Sequence, residues 1–423
     1  MKLKTLLFSL ACFFPALAQA SEVEFIYSGR IDSLYGYNVP AGRYKHNDHR
    51  DHWINLFSLN LGLEKEFNAD YRAGLYADLN AGINKRQDNF NNGDWGQEIY
   101  GIIDSPYGRI MLGETYNTAY QFQVGAPRAG AIGLNDSDIV NFMANPNWVK
   151  TKHATAYRTL NSTSMNTDGV APKISYITPE IYGTMFGFSY APDSYDRRGL
   201  VNKFARYADD SAYVFSLYTE QDLGFADMSA ALGYGIFNQD DKDFTAGISF
   251  YKGGWTLGAS YRKTYVDGGD FAVTGQSDNP RLPDWFDNYR EGQAWDIGLR
   301  YEIGPYQAAL SYLHSEAENT DNQDDIIMLS NQYQLNKYVD LYLIGAQVNF
   351  RGATKAVSDN NKGYTVVTGI GLHFFFPTIR ALPRIWPGKL NFTHRNSRFI
   401  LMKRKQNRLT FMFWTTKAKR LPA

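Results

Sequence analysis

Hydrophobic and polar residues alternate along many short segments of this 423-residue chain. Successive side chains of a β-strand point to opposite faces, so a period of two predicts strands with one apolar and one polar face. The segments around Ile31, Leu75 and Leu299 show the pattern, and Arg30 and Arg72 lie on the polar faces of the first two. Outside the first twenty residues, no apolar stretch reaches the ~18 residues that a transmembrane helix needs. The chain is therefore predicted to be all-β.

The connections between the predicted strands alternate in length. Seven short turns, the first at residues 66–70 and the last at 336–338, interleave with eight longer loops between residues 38 and 362. This order implies sixteen strands, and an even number with short turns on one rim is typical of outer-membrane β-barrels. A soluble sandwich would explain the two faces but not the order of connections. Residues 152–158 and 173–178 both qualify as the sixth strand, so about fourteen or eighteen strands are alternatives.

A transmembrane, antiparallel, up-and-down β-barrel follows from these observations. It pairs every backbone polar group without exposing a sheet edge to lipid, which lets strands with one polar face cross a bilayer. About sixteen strands enclose a lumen wide enough for water. The last predicted strand, residues 363–374 (GYTVVTGIGLHF), alternates most regularly and would close the barrel.

One connection is unusually long and hydrophobic. Residues 116–150 follow a predicted hairpin at 97–115 and show no sustained helical or strand period. Their hydrophobic residues, among them Phe122, Ile132 and Phe142, need packing partners, so a disordered loop is disfavoured. We expect this segment to fold into the barrel as a constriction loop.

The hairpin before this loop carries a recognisable motif. Residues 100–103 (YGII) and 107–113 (YGRIMLG) resemble the corresponding hairpin of the general-diffusion porins of Gram-negative outer membranes. In that family the barrel has sixteen strands, a long third loop folds into the pore, and three copies form a trimer. The resemblance extends over residues 21–374 and includes the closing strand, although Gln97 and Glu114 stand where the family often has arginines.

The resemblance implies a function and a set of partners. It implies a water-filled outer-membrane channel for passive diffusion of ions and small hydrophilic solutes, with no cofactor and no catalysis. The expected partners are outer-membrane lipids and lipopolysaccharide, two further copies of the chain and the outer-membrane assembly machinery, but not nucleic acid. A substrate-specific channel for sugars or nucleosides is the first alternative, and a barrel enzyme such as a phospholipase is a remote one.

The start of the chain predicts a cleavable signal peptide at residues 1–20. Lys2 and Lys4 precede an apolar run that ends in Ala-Gln-Ala at residues 18–20. Cys12, the only cysteine, lies within this segment, and a lipoprotein signal around it would leave too short an apolar core. The mature chain would then have no cysteine and no disulfide.

Net charge separates residues 375–423 from the predicted barrel domain at 21–374. This tail has twelve lysines and arginines and no acidic residue, whereas residues 21–374 have 29 basic and 43 acidic residues. Basic runs without a hydrophobic period predict an unstructured extension. A lipid- or nucleic-acid-binding arm and a small folded appendage are the alternatives.

Residues suited to catalysis or metal binding are few. The sequence has no G-x-S-x-G, H-E-x-x-H or phosphate-loop motif. His46, His49 and His52 could bind a metal, but a solvated polar loop explains this cluster better because neither a helix nor a cysteine accompanies it. No catalytic, cofactor or metal site is predicted.

The predicted functional residues are charges at the constriction. Strand parity points Arg30 and Arg72 into the lumen, and Arg158 follows the loop in a position similar to a wall arginine of the porin family. A negative loop facing a positive wall would place an electric field across the passage, and the acidic balance of the barrel suggests a mild preference for cations. The six candidate constriction residues are Arg30, Arg72, Arg158, Asp136, Asp138 and Glu114.

Overall fold

The computed structural model describes most of the chain between Val23 and Arg380. Within the described part, no helix is both long and apolar enough to cross a membrane. The described residues are 23–40, 50–83, 98–134, 138–150, 155–157, 159–160, 162–192, 211–237, 241–265, 291–318, 320–352, 355, 360–375 and 379–380.

Sixteen antiparallel strands form a closed barrel, as predicted. The first strand, β1 (Val23–Pro40), pairs on one side with β2 (Asp51–Glu66) and on the other with β18 (Asn361–Phe375), which closes the sheet. The other barrel strands follow in chain order as β3 (Arg72–Ile83), β4 (Glu98–Ser105), β5 (Gly108–Glu114), β8 (Pro172–Ile177), β9 (Thr184–Ala191), β10 (Ala212–Asp222), β11 (Asp227–Phe237), β12 (Asp241–Lys252), β13 (Trp255–Tyr265), β14 (Gly292–Ile303), β15 (Tyr306–Ala317), β16 (Gln323–Asn336) and β17 (Val339–Arg351).

The sixth barrel strand is β8, so of the two segments that the sequence left open the later one is correct. β8 pairs with β5 and β9, whereas β7 (Thr155–Tyr157) pairs only with β6 (Trp148–Lys150) in a separate two-stranded sheet. The connection between β5 and β8 therefore spans residues 115–171 and is longer than the predicted 116–150. It also contains α1 (Thr118–Gln121) and a 3-10 helix (Asp138–Asn141). We call residues 115–171 the lumenal loop.

Tight turns link the strands at one rim, which we call the turn rim. Between β8 and β9, Tyr182 and Gly183 have φ angles of 51° and 76°. Two consecutive residues in this left-handed region match the twist of the flanking strands and make a two-residue hairpin turn. The long connections lie at the opposite rim, as the alternation of lengths predicts.

The outer face of the barrel is apolar and the inner face of the same strands is polar. On β14, Leu299 faces outward with 42% of its surface exposed, whereas Asp296 faces inward and is 1% exposed. This confirms the register predicted for β14. Aromatic residues border the apolar band on both sides, as they do at the interfaces of membrane barrels. The pairs on either side of Leu299 are Trp255–Tyr301 and Trp295–Tyr312, with ring centroids 4.4 and 5.1 Å apart.

The inner face is not polar throughout, and in this respect the prediction was wrong. Around β1, β2 and β15–β18, inward positions hold buried aliphatic side chains that pack against the lumenal loop. We call this group the seam cluster, because it lies where β1 meets β18. Its members are Leu34, Ile54, Ile132, Leu134, Ile139, Val140, Phe142, Met143, Leu313, Ile326, Met328, Tyr342, Ile344, Ala346, Val348, Phe350 and Val367.

The closing strand continues one residue past the predicted end of the barrel at Phe374. Phe375 pairs with Ser28, and a two-residue strand, β19 (Ile379–Arg380), pairs with residues 24–25 of β1. Residues 1–22 and 381–423 lie outside the described residues. The predictions for the signal peptide and for most of the basic tail therefore stay predictions.

Candidate functional site

The lumenal loop follows the inner wall from strand to strand. Residues 118–131 contact β9, β11, β12, β13, β14, β15, β16 and β17 in turn. Residues 142–144 reach β1 and β18, and residues 147–168 return past β16, β14 and β12 to β8. The outgoing and returning halves together cover the inner face on this side of the barrel.

A buried ion pair fastens the two ends of the loop to each other. The Lys173 ammonium on β8 lies 3.0 Å from one carboxylate oxygen of Asp168 and donates to the carbonyls of Thr115 at 2.5 Å and Gly169 at 2.8 Å. The other carboxylate oxygen of Asp168 accepts from Asn117 Nδ2 at 2.6 Å. The Lys173 and Asp168 side chains are 0% and 1% exposed. We call these five residues the loop latch.

Carboxylates of the wall hold the loop at further points. Asp296 on β14 accepts from the backbone N–H of Ala126 at 2.9 Å and from Thr163 Oγ1 at 2.8 Å, so it joins both halves of the loop. Asp324 on β16 accepts from Asn147 Nδ2 at 2.7 Å. Both aspartates are buried, and their hydrogen bonds compensate the cost of removing charge from water.

The tip of the loop is tied to both strands of the closing seam. Asn38 on β1 donates to the Phe142 carbonyl at 2.6 Å, and Asn361 on β18 donates to the Ala144 carbonyl at 2.7 Å. The Phe142 ring belongs to the seam cluster between these two hydrogen bonds. Polar and apolar contacts thus fix the same few residues of the loop.

Part of the inner face of β2–β4 remains accessible opposite the loop. Among the described residues, the inward side chains of Asn60, Asp78 and Tyr100 are partly exposed, whereas the inward Asp296 and Asp324 beneath the loop are buried. We call the inner face of β2–β5 the open wall.

Two carboxylates occupy the open wall. Asp78 on β3 and Glu98 on β4 are directly opposite each other in the strand register. Glu98 accepts from Thr115 Oγ1 at 2.6 Å and from the backbone N–H of Tyr116 at 3.3 Å. Asp78 has no hydrogen-bond or ion-pair partner among the described residues. The wall therefore presents two adjacent carboxylates at this level.

Tyrosines flank the two carboxylates on both sides of the passage. Tyr76 and Tyr100 stack on the open wall with ring centroids 5.4 Å apart, and Tyr116 and Tyr120 stack on the loop at 4.0 Å. Arg128 has the single charged side chain in residues 116–131. Its backbone carbonyl accepts a hydrogen bond from Arg300 on β14 at 3.4 Å. At this level the described wall carries two carboxylates and residues 116–131 of the loop carry one arginine.

Arg30 and Arg72 face the lumen, as predicted, and both are paired. Arg72 lies 3.0 Å from a Glu64 carboxylate oxygen and 2.6 Å from an Asp104 carboxylate oxygen. Arg30 lies 2.7 Å from Asp32. These arginines sit toward the turn rim, where neighbouring carboxylates offset their charge. Their side chains orient as strand parity predicts, but they do not form a wall of uncompensated positive charge.

The other candidate residues have different outcomes. Arg158 and Asp136 lie outside the described residues, and of Asp138 only the backbone, in the 3-10 helix, is described. Their role stays a prediction. Glu114 pairs opposite Ile99 and Pro172, which occupy outward-facing positions, so its assignment to the constriction was wrong. Strand alternation places it on the outer face of β5.

The histidine cluster of the first long loop is only partly described. Of its three members, His46 and His49 lie outside the described residues, and His52 contacts the Phe142 ring edge-on at 6.3 Å. Within the described residues, no group of three or more histidine, cysteine or acidic side chains could hold a metal ion.

Comparisons with known proteins agree with this architecture. A family model described as Gram-negative porin matches residues 7–353. The structure of Salmonella typhi OmpF in complex with daunomycin is similar over 83% of this chain and 97% of its own, with 13% identity and a TM-score of 0.56. The trimer form of OmpT, an outer membrane protein of Vibrio cholerae, is similar over 84% of this chain and 100% of its own, with 12% identity and a TM-score of 0.52. No curated protein matches the sequence.

Proposed function

This chain belongs to the Gram-negative porin family, and we propose that solutes cross its barrel between the open wall and residues 116–131 of the lumenal loop. As an outer-membrane porin, the protein forms a channel for passive diffusion. The observation that supports this path is the difference in burial between the two sides of the lumen. On β2–β4 the inward side chains of Asn60, Asp78, Glu98 and Tyr100 are partly exposed, while those of Asp296 and Asp324 beneath the loop are buried.

The passage suits hydrated ions and small polar solutes. Carboxylates, tyrosine hydroxyls and backbone groups line it, and they can replace part of the water around a polar solute. A bulky apolar solute would lose ordered water without gaining polar contacts. We propose no energy source, no cofactor and no catalytic activity, and phospholipid hydrolysis by the purified protein would contradict the last of these.

The charge at the constriction favours cations in this proposal. Asp78 and Glu98 place two carboxylates on the wall, against a single arginine, Arg128, in residues 116–131 of the loop. Fixed charges act more strongly in a narrow, partly dehydrated passage than on an open surface, because water and salt screen them less. Asp136 and Asp138 remain proposed sources of further negative charge on the loop.

Neutralising the wall carboxylates is expected to shift the channel toward anions. In a salt gradient across a planar bilayer, Asp78→Asn with Glu98→Gln should move the reversal potential toward the anion equilibrium potential. The matched control is Asp70→Asn with Asp227→Asn, which also removes two carboxylates but at exposed positions near the turn rim. An equal shift in both double variants would mean that only the total charge matters and that Asp78 and Glu98 are not at the constriction.

We also propose that the protein assembles as a homotrimer. The family resemblance implies this state, and the OmpT protein of Vibrio cholerae has a trimer form. Planar-bilayer recording of the purified protein tests channel and assembly together, because a trimer of pores should close in three equal steps. Lipopolysaccharide, outer-membrane lipids and the assembly machinery remain proposed partners.

A further inference from the structure

Five glycines of the inner wall lie where the outgoing half of the lumenal loop passes close to it. They face loop residues 118, 119, 124, 125 and 126–127 in that order. We call them the glycine track. Its members are Gly187 on β9, Gly233 on β11, Gly247 on β12, Gly258 on β13 and Gly298 on β14.

Side chains on the glycine track would occupy the space of the loop. A Cβ atom on Gly247 would lie 1.8 Å from the carbonyl oxygen of Val124, and one on Gly258 would lie 2.4 Å from the carbonyl oxygen of Gly125. Both distances are far shorter than a van der Waals contact. The obstructing atoms belong to the backbone of the loop, so they cannot rotate away as a side chain could.

Backbone conformation does not explain these glycines. None of the five has a positive φ, so each position could hold another residue if there were room. Glycine in the interior of a strand weakens it, and often marks close approach of another backbone. A small residue also lies beside the track. Ser311 is opposite Gly298 and donates from Oγ to the Pro127 carbonyl at 3.0 Å. The common requirement along the track is space for the loop.

We infer that the glycine track sets the width of the passage. It lets residues 118–127 lie directly against the wall, which keeps the opposite face of the loop away from the open wall. A methyl group at Gly247 or Gly258 would push the loop by about 1 Å toward Asp78 and Glu98, because the carbonyl must retreat to van der Waals distance. The five glycines are positioning residues, since they act through the loop. This inference rests on the proposed path of solutes.

The test is the double variant Gly247→Ala with Gly258→Ala. We expect its single-channel conductance to fall by roughly 1.5- to 2-fold, because a narrower pore admits fewer hydrated ions. In liposome swelling, the rate for sucrose relative to glucose should fall further than the conductance, since the larger sugar is nearer the size limit. A general loss of folded protein would lower both sugars equally and would leave their ratio unchanged.

A glycine outside both the track and the open wall serves as the control. Gly345 on β17 has nothing within 4 Å of a Cβ atom. Gly345→Ala should keep the conductance and the sugar ratio of the unmodified protein.

Heat-modifiability on gels identifies which variants are folded. If the double variant does not fold, the single variant Gly258→Ala is used in its place. A folded track variant with an unchanged conductance and sugar ratio would overturn the inference. Failure of the unmodified protein to conduct would instead reject the proposed function, so the two outcomes are distinguishable.

Discussion

Asp168→Ala is expected to lower the free energy of unfolding by about 3–5 kcal/mol, the usual cost of leaving one charge of a buried ion pair without its partner. The substitution would leave the Lys173 ammonium, which is 0% exposed, without a carboxylate. It would also remove the hydrogen bond from Asn117 at 2.6 Å that holds the start of the loop. Unfolding by urea in detergent micelles measures the loss of stability, and excess noise in the single-channel current would report the freed loop.

Two further variants make this result specific to the loop latch. Lys263→Met breaks an exposed ion pair, in which Lys263 and Glu318 lie 3.3 Å apart and are 25% and 46% exposed, and it should cost less than about 1 kcal/mol. Asp168→Ala combined with Lys173→Met should recover much of the loss, because no unpaired charge remains. If Asp168→Ala cost no more than Lys263→Met, the latch would not hold the fold together.

Leu299→Arg is expected to destabilise the barrel by ~2–4 kcal/mol, since a cation would then face the middle of the hydrocarbon layer. Leu299 lies on the outer face between two levels of aromatic residues, so it is near the centre of the apolar band. The temperature at which the folded barrel converts to the unfolded form on gels should fall accordingly.

The adjacent position provides the matched comparison. Arg300 faces the lumen, donates to the Arg128 carbonyl at 3.4 Å and lies 3.9 Å from Glu302. Arg300→Leu removes these long contacts and exposes no charge to lipid, so its effect should be milder than that of Leu299→Arg. The reverse ranking would show that the two faces of β14 have been exchanged.

The barrel could be predicted from the sequence because the pattern that specifies it lies within each strand. Alternation along a single strand decides which side chains face outward, so the orientations of Leu299 and Arg300 could be predicted without knowing the partner strands. The sixth strand was ambiguous because β7 and β8 have similar local patterns and differ only in their partners. Choosing between them requires the position of the whole lumenal loop.

The site was harder to predict, since its contacts join residues that are far apart in the chain. Lys173 meets Thr115 only after 57 intervening residues have folded along the wall. Some signals were nevertheless present. Residues 326–329 (IIML) are apolar on both faces of β16, which is typical of a strand covered on both sides. Mid-strand glycines such as Gly258 likewise indicate close approach of another backbone.

The seam cluster gives the constriction a second role in assembly. Phe142 packs where the first and last strands of the barrel meet, and the carbonyls of Phe142 and Ala144 accept hydrogen bonds from β1 and β18. With β1 and β18 still apart, the tip of the loop could not hydrogen-bond to both strands at once. A barrel that closed without the loop would leave the aliphatic side chains of the seam facing water. Loop insertion and barrel closure should therefore occur as one cooperative step, in which the loop that narrows the pore also holds the first and last strands of the barrel together.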